Sequence, residues 1–480
     1  MLPSASPEAG QSCDKHYNMK RFKHIIFGSL VALSLTGCKS LYGKYERPQV
    51  RTSGIMRDPV AATDTLAVAD TASFGNLPWR EVFTDAHLQG LIEKALTNNP
   101  NLLNAALNVD MAQAQLKTAK LAFIPQFVFT PQGTITRFND ATTKSYTLPV
   151  NASWNVSLFG GLTAAKRSAQ MTLLQSKDYQ VSVRTSLIAG VANLYYTLLM
   201  LDKQMEIVGN MERLTKETWD IMKVQHENIA GVRSTAVQRA ESNYYNVLTQ
   251  KKDLERSIRE SENALSLMLG EPAHAIARGT LDNQQLPASF STGVGIQLLS
   301  NRADVHANEM ELASCFYNVE KARSSFYPNI TISGTGGFSN GQGMVNPAKL
   351  LLSAVASLTQ PIFMNGQLTA ALRVANDRYQ QAFNTWQQSI LKAGSEVSNA
   401  LVQYNTSSEK SVIEARQIEV LKKNVEDTRA LMASAGSTYL EVITAESSLL
   451  NAQLSKVSDD LAKMQAVVSL YQALGGGAKS

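Results

Sequence analysis

The chain has 480 residues, 44% of them hydrophobic, with a formal net charge of +5, long enough for two to four domains with sizeable cores. Past the N-terminus no eighteen consecutive residues are apolar, which excludes a membrane-spanning helix and leaves strands as the only route across a bilayer. The basic residues come as isolated pairs such as Lys251-Lys252 and Lys422-Lys423, so no nucleic-acid patch and no nucleic-acid partner is expected.

Residues 1–37 read as upstream residues plus an export signal. Lys20, Arg21 and Lys23 form a basic region, and Ile25 to Leu35 an apolar run too short to span a bilayer. Leu35-Thr36-Gly37-Cys38 then resembles the bacterial lipoprotein box, so Cys38 is the expected lipidation site and first mature residue. Residues 1–18 precede Met19 and fit no part of a signal, which makes Met19 the expected start. With Cys13 removed and Cys38 acylated, only Cys315 remains, so no internal disulfide is expected. Cys315 lies in an apolar helical stretch and reads as a buried small side chain. Residues 38–84 read as a lipidated extension.

The first repeat covers 85–272. A helical start gives way to strands predicted at about 126–138 and 147–159. In the second of these, Leu148, Val150, Ala152, Trp154, Val156 and Leu158 alternate with Thr147, Asn151, Ser153, Asn155 and Ser157, the period of a two-faced strand. Such a strand suits a tilted membrane crossing or a half-buried soluble sheet. From Leu162 to Ala230 there is no Pro and only Gly190 and Gly209. About 70 helical residues would reach about 100 Å, beyond a globular helix and in the range of a coiled coil. A turn near Gly231, Val232 and Arg233 returns the chain along a second long helix.

Residues 273–297 read as a linker or equatorial segment. The second repeat, 298–475, has strands predicted at about 329–338 and 351–362. Another Pro-free stretch, 367–435, follows, with a turn near Gly436, Ser437 and Thr438. Its seam, Leu372, Ala375, Tyr379, Ala382, Trp386, Ile390, Ala393, Val397, Ala400 and Tyr404, steps by three and four. Residues 476–480 form a tail. The two halves match collinearly. Asn99-Pro100-Asn101-Leu102 aligns with Arg302-Ala303-Asp304-Val305, and Phe123-Ile124-Pro125 with Phe326-Tyr327-Pro328. Leu162-Thr163-Ala164-Ala165 aligns with Leu368-Thr369-Ala370-Ala371, Ala240-Glu241 with Ala445-Glu446, and Leu269-Gly270 with Leu474-Gly475. One strand-and-helix unit is therefore present twice.

Four strands cannot close a barrel, and an open edge in lipid strands backbone groups at several kcal/mol each. If the strands cross a membrane, several copies must pool them. Two copies would give eight strands and little lumen, three would give twelve and a water-filled bore.

These features together resemble the TolC-like outer membrane factor family over about residues 77–475. The most specific pieces are Asn301-Arg302-Ala303-Asp304-Val305, Phe326-Tyr327-Pro328-Asn329-Ile330, and Gly436 followed by Val442, Ala445 and Glu446. The resemblance implies a mainly α protein with membrane β, a homotrimeric twelve-stranded barrel on a twelve-helix tunnel. It implies a lipid-anchored outer-membrane channel with a long periplasmic extension, passing small toxic compounds outward by passive conduction. It also implies a periplasmic membrane-fusion adaptor and an inner-membrane pump, of the resistance-nodulation-division type, as partners, with the hairpin turns as adaptor contacts. Two departures stand out: Ala303 where the family has Pro, and a span from turn Gly to Ala one residue shorter in both halves. Acidic residues that narrow the family's gate lie near that span. Glu441, with Glu446 and Glu241, are the candidates, each a ring of three carboxylates in a trimer.

Gly337-Phe338-Ser339-Asn340-Gly341 fits the nucleophile-elbow pattern, but a Gly- and Asn-rich loop follows where a helix is required, so no enzyme is expected. The six His residues lack ligand spacing, and no cofactor is called for. A polypeptide secretion duct and a pore-less coiled-coil scaffold lipoprotein are the alternative functions.

Overall fold

A computed structural model describes residues 43–50, 74–228, 233–285, 302–340, 349–433 and 438–477. Cys38, the signal region, Gly231, Val232, Gly436, Ser437 and the linker from 286 to 297 lie outside the described residues. The chain divides into two compact units.

The first unit holds Ala114–Met171, Leu312–Gln381 and the described residues 43–48. Its sheet contains β1 (Gln126–Phe129), β2 (Gln132–Phe138), β3 (Ala141–Val156), β4 (Asn329–Ser339) and β5 (Lys349–Thr359). The order is β1-β3-β4-β5, with β2 also on β3, all antiparallel. The stretch predicted as one strand at 126–138 is divided because Pro131 has no N–H to give the ladder. The register nonetheless continues: Phe129 faces Val150 and Gln132 faces Thr147. β1 and β2 thus share one lane, and the sheet has four lanes. β3 begins six residues before its predicted start and ends three before its predicted end.

Cross-strand partners share a face. Val150, Ala152, Trp154 and Val156 stand opposite Gly336, Gly334, Ile332 and Ile330. Ile330, Gly336 and Phe338 in turn stand opposite Leu358, Leu352 and Leu350. Phe127 and Phe129 complete the same face in the first lane. The other face carries a polar ladder. The Asn151 amide donates to Thr130 Oγ1 at 2.8 Å, and Thr335 Oγ1 donates to Asn151 Oδ1 at 2.8 Å. Ser339 closes β4. Asn340 extends the pairing, its Oδ1 accepting the Tyr146 N–H at 2.6 Å. The Gly-x-Ser-x-Gly match is thus strand through Ser339, with Gly341 outside the described residues. Gly337 is Gly because a Cβ there would lie 2.3 Å from the Leu148 carbonyl oxygen.

The second unit holds Gln49–Gln113, Thr172–Glu311 and Ala382–Ser480. The helices, several of which run from one unit into the other, are α1 (Trp79–Val82), α2 (Ala86–Asn98), α3 (Pro100–Leu121), α4 (Gly161–Asn228), α5 (Ser234–Leu269), α6 (Ala303–Ser324), α7 (Gln367–Ala433) and α8 (Tyr439–Ala473). The Pro-free stretches are single helices of 68 and 67 residues. Among the described residues no helix is long and apolar enough to cross a membrane.

The repeat has local causes. Gly270 and Gly475 follow the ends of α5 and α8 with φ of 70° and 80°, the left-handed conformation that glycine takes freely. A Cβ at Gly270 would also meet the Asn98 carbonyl at 2.8 Å. Asn99 caps α3, its Oδ1 accepting from the N–H groups of Asn101 and Leu102 at 2.9 and 3.2 Å. At the matching position Arg302 is buried and bridges Asp304, Glu396 at 2.6 Å and the Ala473 carbonyl at 3.3 Å. Burial works against its charge, but Asp304 and Glu396 outweigh burial and raise its pKa. Arg278 pins the described part of the linker by donating to Asp202 and Glu262, each at 2.5 Å. Cys315 is half-buried on α6.

Candidate functional site

Two features could do work: the apolar face of the sheet, and the converging ends of the four long helices. The lanes β4 and β5 are each 11 residues long, within the 9–11 that a tilted strand needs to cross a bilayer. Leu350, Leu352, Leu358, Phe127 and Phe129 are exposed along the apolar face, where water would oppose them and lipid would not. Among the described residues, β5 pairs only with β4, and β1 and β2 only with β3. Both outer lanes are therefore edges.

At the other feature α4, α5, α7 and α8 share one core. Met222 of α4, Ala236 and Ala240 of α5, Met432 of α7 and Val442 of α8 are buried together. The small Ala side chains let the helices approach closely. Behind them Val208, Met211, Val247 and Leu450 join α4, α5 and α8, and Ile418, Val425, Ala445 and Leu449 join α7 to α8. The polar links tie the halves of the chain to each other. Arg429 of α7 donates to Glu217 of α4 at 3.0 Å, and Arg239 of α5 reaches the Tyr439 hydroxyl at 3.4 Å.

The predicted site residues separate here. Glu446 is wholly buried, at 0% exposure. Its Oε1 accepts from the buried Thr218 hydroxyl of α4 at 2.9 Å, and its Oε2 has no hydrogen-bond partner. Burial raises its pKa, with Thr218 and the charge of Arg429 pulling the other way. Glu441 is exposed at the third residue of α8, in a capping box with Thr438. Its Oε2 accepts the Thr438 N–H at 3.2 Å. Glu241 is half-buried on α5. Arg233 is exposed as the residue before α5, with no side-chain cap, and Thr438 is exposed before α8. Sequence reasoning missed Thr218, Glu217 and Arg429. Thr218 lies 228 positions from its partner, and no local pattern marks it. Trp219, whose ring stacks on Tyr244 and lies 3.4 Å beneath the Lys223 ammonium, was also missed. Among the described residues no cluster of His, Cys, Asp and Glu could hold a metal.

Comparison with known proteins adds four findings. The sequence model for outer membrane efflux proteins matches residues 91–271 and 295–476. The cation efflux system protein CusC of Escherichia coli K12 is 27% identical over 460 residues, covering 93% of this chain and 98% of its own. The probable outer membrane lipoprotein SilC of Salmonella typhimurium is 26% identical over 458 residues, covering 92% and 96%. A crystal structure of CusC, described as revealing conformational changes in folding and transmembrane channel formation, superposes with a TM-score of 0.79 at 25% identity. It covers 90% of this chain and 99% of that one.

Proposed function

Because the chain belongs to the outer membrane efflux protein family, and so is an outer-membrane component of efflux, we propose that three copies form the exit channel of a tripartite pump. The observation that carries this reading is the four-lane sheet with a continuous apolar face and an edge on either side. Open edges in lipid cost several kcal/mol per backbone group. Joining β5 of one copy to the first lane of the next removes every edge and gives twelve strands around a wet bore. A pore-less scaffold would have no use for an exposed apolar sheet of this kind.

A periplasmic adaptor and a proton-driven inner-membrane pump complete the system, and the hairpin turns around 231 and 436 take the adaptor. Small toxic compounds are the cargo, moved passively through the tube. Cys38 carries the lipid. Gly43, five positions later, is held by the Arg167 guanidinium at 3.3 Å, which keeps the anchor within about 18 Å of the sheet unit. Glu441 is the carboxylate that narrows the closed gate, because it alone of the three is exposed at the helix start. Glu446 acts from within each protomer, holding α8 against α4 through Thr218, and Glu241 stands half-buried on α5. Native mass spectrometry of the detergent-extracted protein tests the assembly. A mass of three processed chains supports the reading, and a lone chain overturns it.

A further inference from the structure

The sheet carries its charge at one end only. α3 leads into β1, β3 into α4, α6 into β4 and β5 into α7, so in this antiparallel sheet every helix joins at the same end. The turn from β2 to β3, at Asn139-Asp140, lies at the opposite end, beyond the last pair Phe138 and Ala141. The charged residues of the five strands are Arg137, Lys144 and Lys349. All are basic, and all stand toward the end away from the helices. None of these strands holds an acidic residue.

Alternation along β3 carries the apolar face of Val150 and Leu148 on to Tyr146, Lys144 and Thr142. Cross-strand partners share that face: Gly133 stands opposite Tyr146, Ile135 opposite Lys144 and Arg137 opposite Thr142. The face therefore passes from aliphatic and aromatic side chains to a pair of cations. Val156 to Tyr146 is about 34 Å of strand and, at the usual tilt, about 25 Å of height, the depth of the apolar band of a membrane barrel. Tyr146 then falls at the boundary, where an amphipathic ring is favoured. Lys144 stands about 5 Å higher, at the level of the headgroups. Arg137 and Lys144 are diagonal neighbours, about 7–8 Å apart at their Cβ atoms, a gap that one phosphate bridges between two long side chains. Lys144 is exposed. The guanidinium of Arg137 meets Asp140 only at 3.7 Å, with both side chains well exposed, a pairing worth little in water. Lys349 faces Ser339, on the polar face with Thr335 and Asn151.

We propose that Lys144 and Arg137 bind the phosphate of a phosphorylated glycolipid in the outer leaflet, one site per copy. The occupant is a lipid headgroup because the two cations continue the face that lipid covers. Its anionic group is a phosphate because a guanidinium offers paired donors to phosphate oxygens and an ammonium adds a point charge beside them. The proposal rests on the channel reading, which puts the helices in the periplasm and this end of the sheet at the outer surface.

The test is native mass spectrometry of the full-length protein, purified in mild detergent and freed of bound lipid. The probes are bisphosphorylated lipid A, the same lipid with its phosphates removed, and inorganic phosphate. Expected is retention of the phosphorylated lipid over its phosphate-free form. Lys144→Gln combined with Arg137→Gln should weaken that retention roughly 10- to 30-fold. Lys349→Gln, on the other face, should bind as the unsubstituted protein does. Equal retention of the two lipids by the unsubstituted protein overturns the site, whether or not the variants fold. Unchanged binding by the double variant overturns it too. So does displacement of the lipid by inorganic phosphate at equal concentration, which makes the pair a site for the free anion. Any of these results in an assembly of three chains leaves the channel reading standing. A native mass of one chain for the unsubstituted protein overturns both.

Discussion

Replacing Thr218 with Val removes the one hydrogen bond donated to Glu446 while keeping the side chain's shape. Glu446 is wholly buried and its second oxygen is already without a partner. Stripping the remaining donor leaves a buried carboxylate to bear its desolvation alone, at about 1–3 kcal/mol. That corresponds to roughly a 5- to 150-fold loss of amide protection if the hairpin opens locally. Hydrogen exchange read by mass spectrometry over Val442–Leu450 of α8 measures it. The pH dependence has a fixed sign. Burial raises the folded pKa of Glu446 above its ordinary 4.5. Its stabilising effect is therefore complete below the unfolded value and is lost as pH rises through the folded one. Protection of α8 should decline across that window in the wild type and stay flat in Glu446→Gln, which keeps an acceptor for Thr218 but cannot ionise. Removing both partners, in Thr218→Val with Glu446→Leu, should recover most of the loss. The reasoning is refuted if Thr218→Val leaves α8 protection unchanged, or if wild-type protection rises with pH over that window.

Further outcomes follow from single contacts. Gly337→Ala puts a methyl group 2.3 Å from the Leu148 carbonyl and 2.7 Å from Pro149 Cα, backbone atoms that cannot swing aside. A cost of about 1–3 kcal/mol should deplete the heat-modifiable folded species on electrophoresis. Asn99→Ala removes the cap of α3 and the 2.8 Å bond to the Met268 carbonyl, so thermal unfolding should show a loss of about 1–2 kcal/mol. Arg278→Met leaves Asp202 and Glu262 without their shared cation. Asp202 is 39% exposed on its side chain, so water limits the loss to about 1–2 kcal/mol, seen as faster proteolysis within 273–285. Glu441→Ala and Glu441→Gln should both raise single-channel conductance, while only Ala weakens the start of α8, by about 1 kcal/mol. Conductance unchanged in both removes Glu441 from the gate.

How far the sequence discloses this architecture depends on the range of the interactions involved. The long helices were legible because Pro is absent and the apolar steps of three and four are local. The strands were legible where one face is apolar, as from Leu148 to Val156. They were not legible at 141–146, where Thr142, Thr143, Lys144 and Ser145 extend β3 without alternation. The interruption at Thr130-Pro131 was missed because the register resumes unchanged beyond it. The site was less legible than the fold. Glu441 and Glu446 are both acidic residues near the start of α8, yet one caps an exposed helix start and the other is sealed against Thr218. The partner of Glu446 comes only from the meeting of α4 and α8, which brings Thr218 to it from 228 positions away in sequence. The repeat itself was fully visible, but its asymmetry was not. Ser168 and Val374 occupy matching positions, yet one is buried and the other exposed.

The most direct test is electrical. The purified protein is reconstituted into a planar bilayer and its presence in the membrane verified by protease protection. Three copies enclosing a twelve-stranded bore should give discrete conductance steps, and Glu441→Gln should raise their size. A bilayer that holds the protein yet stays silent at every voltage, in the wild type and in Glu441→Gln alike, would contradict the channel.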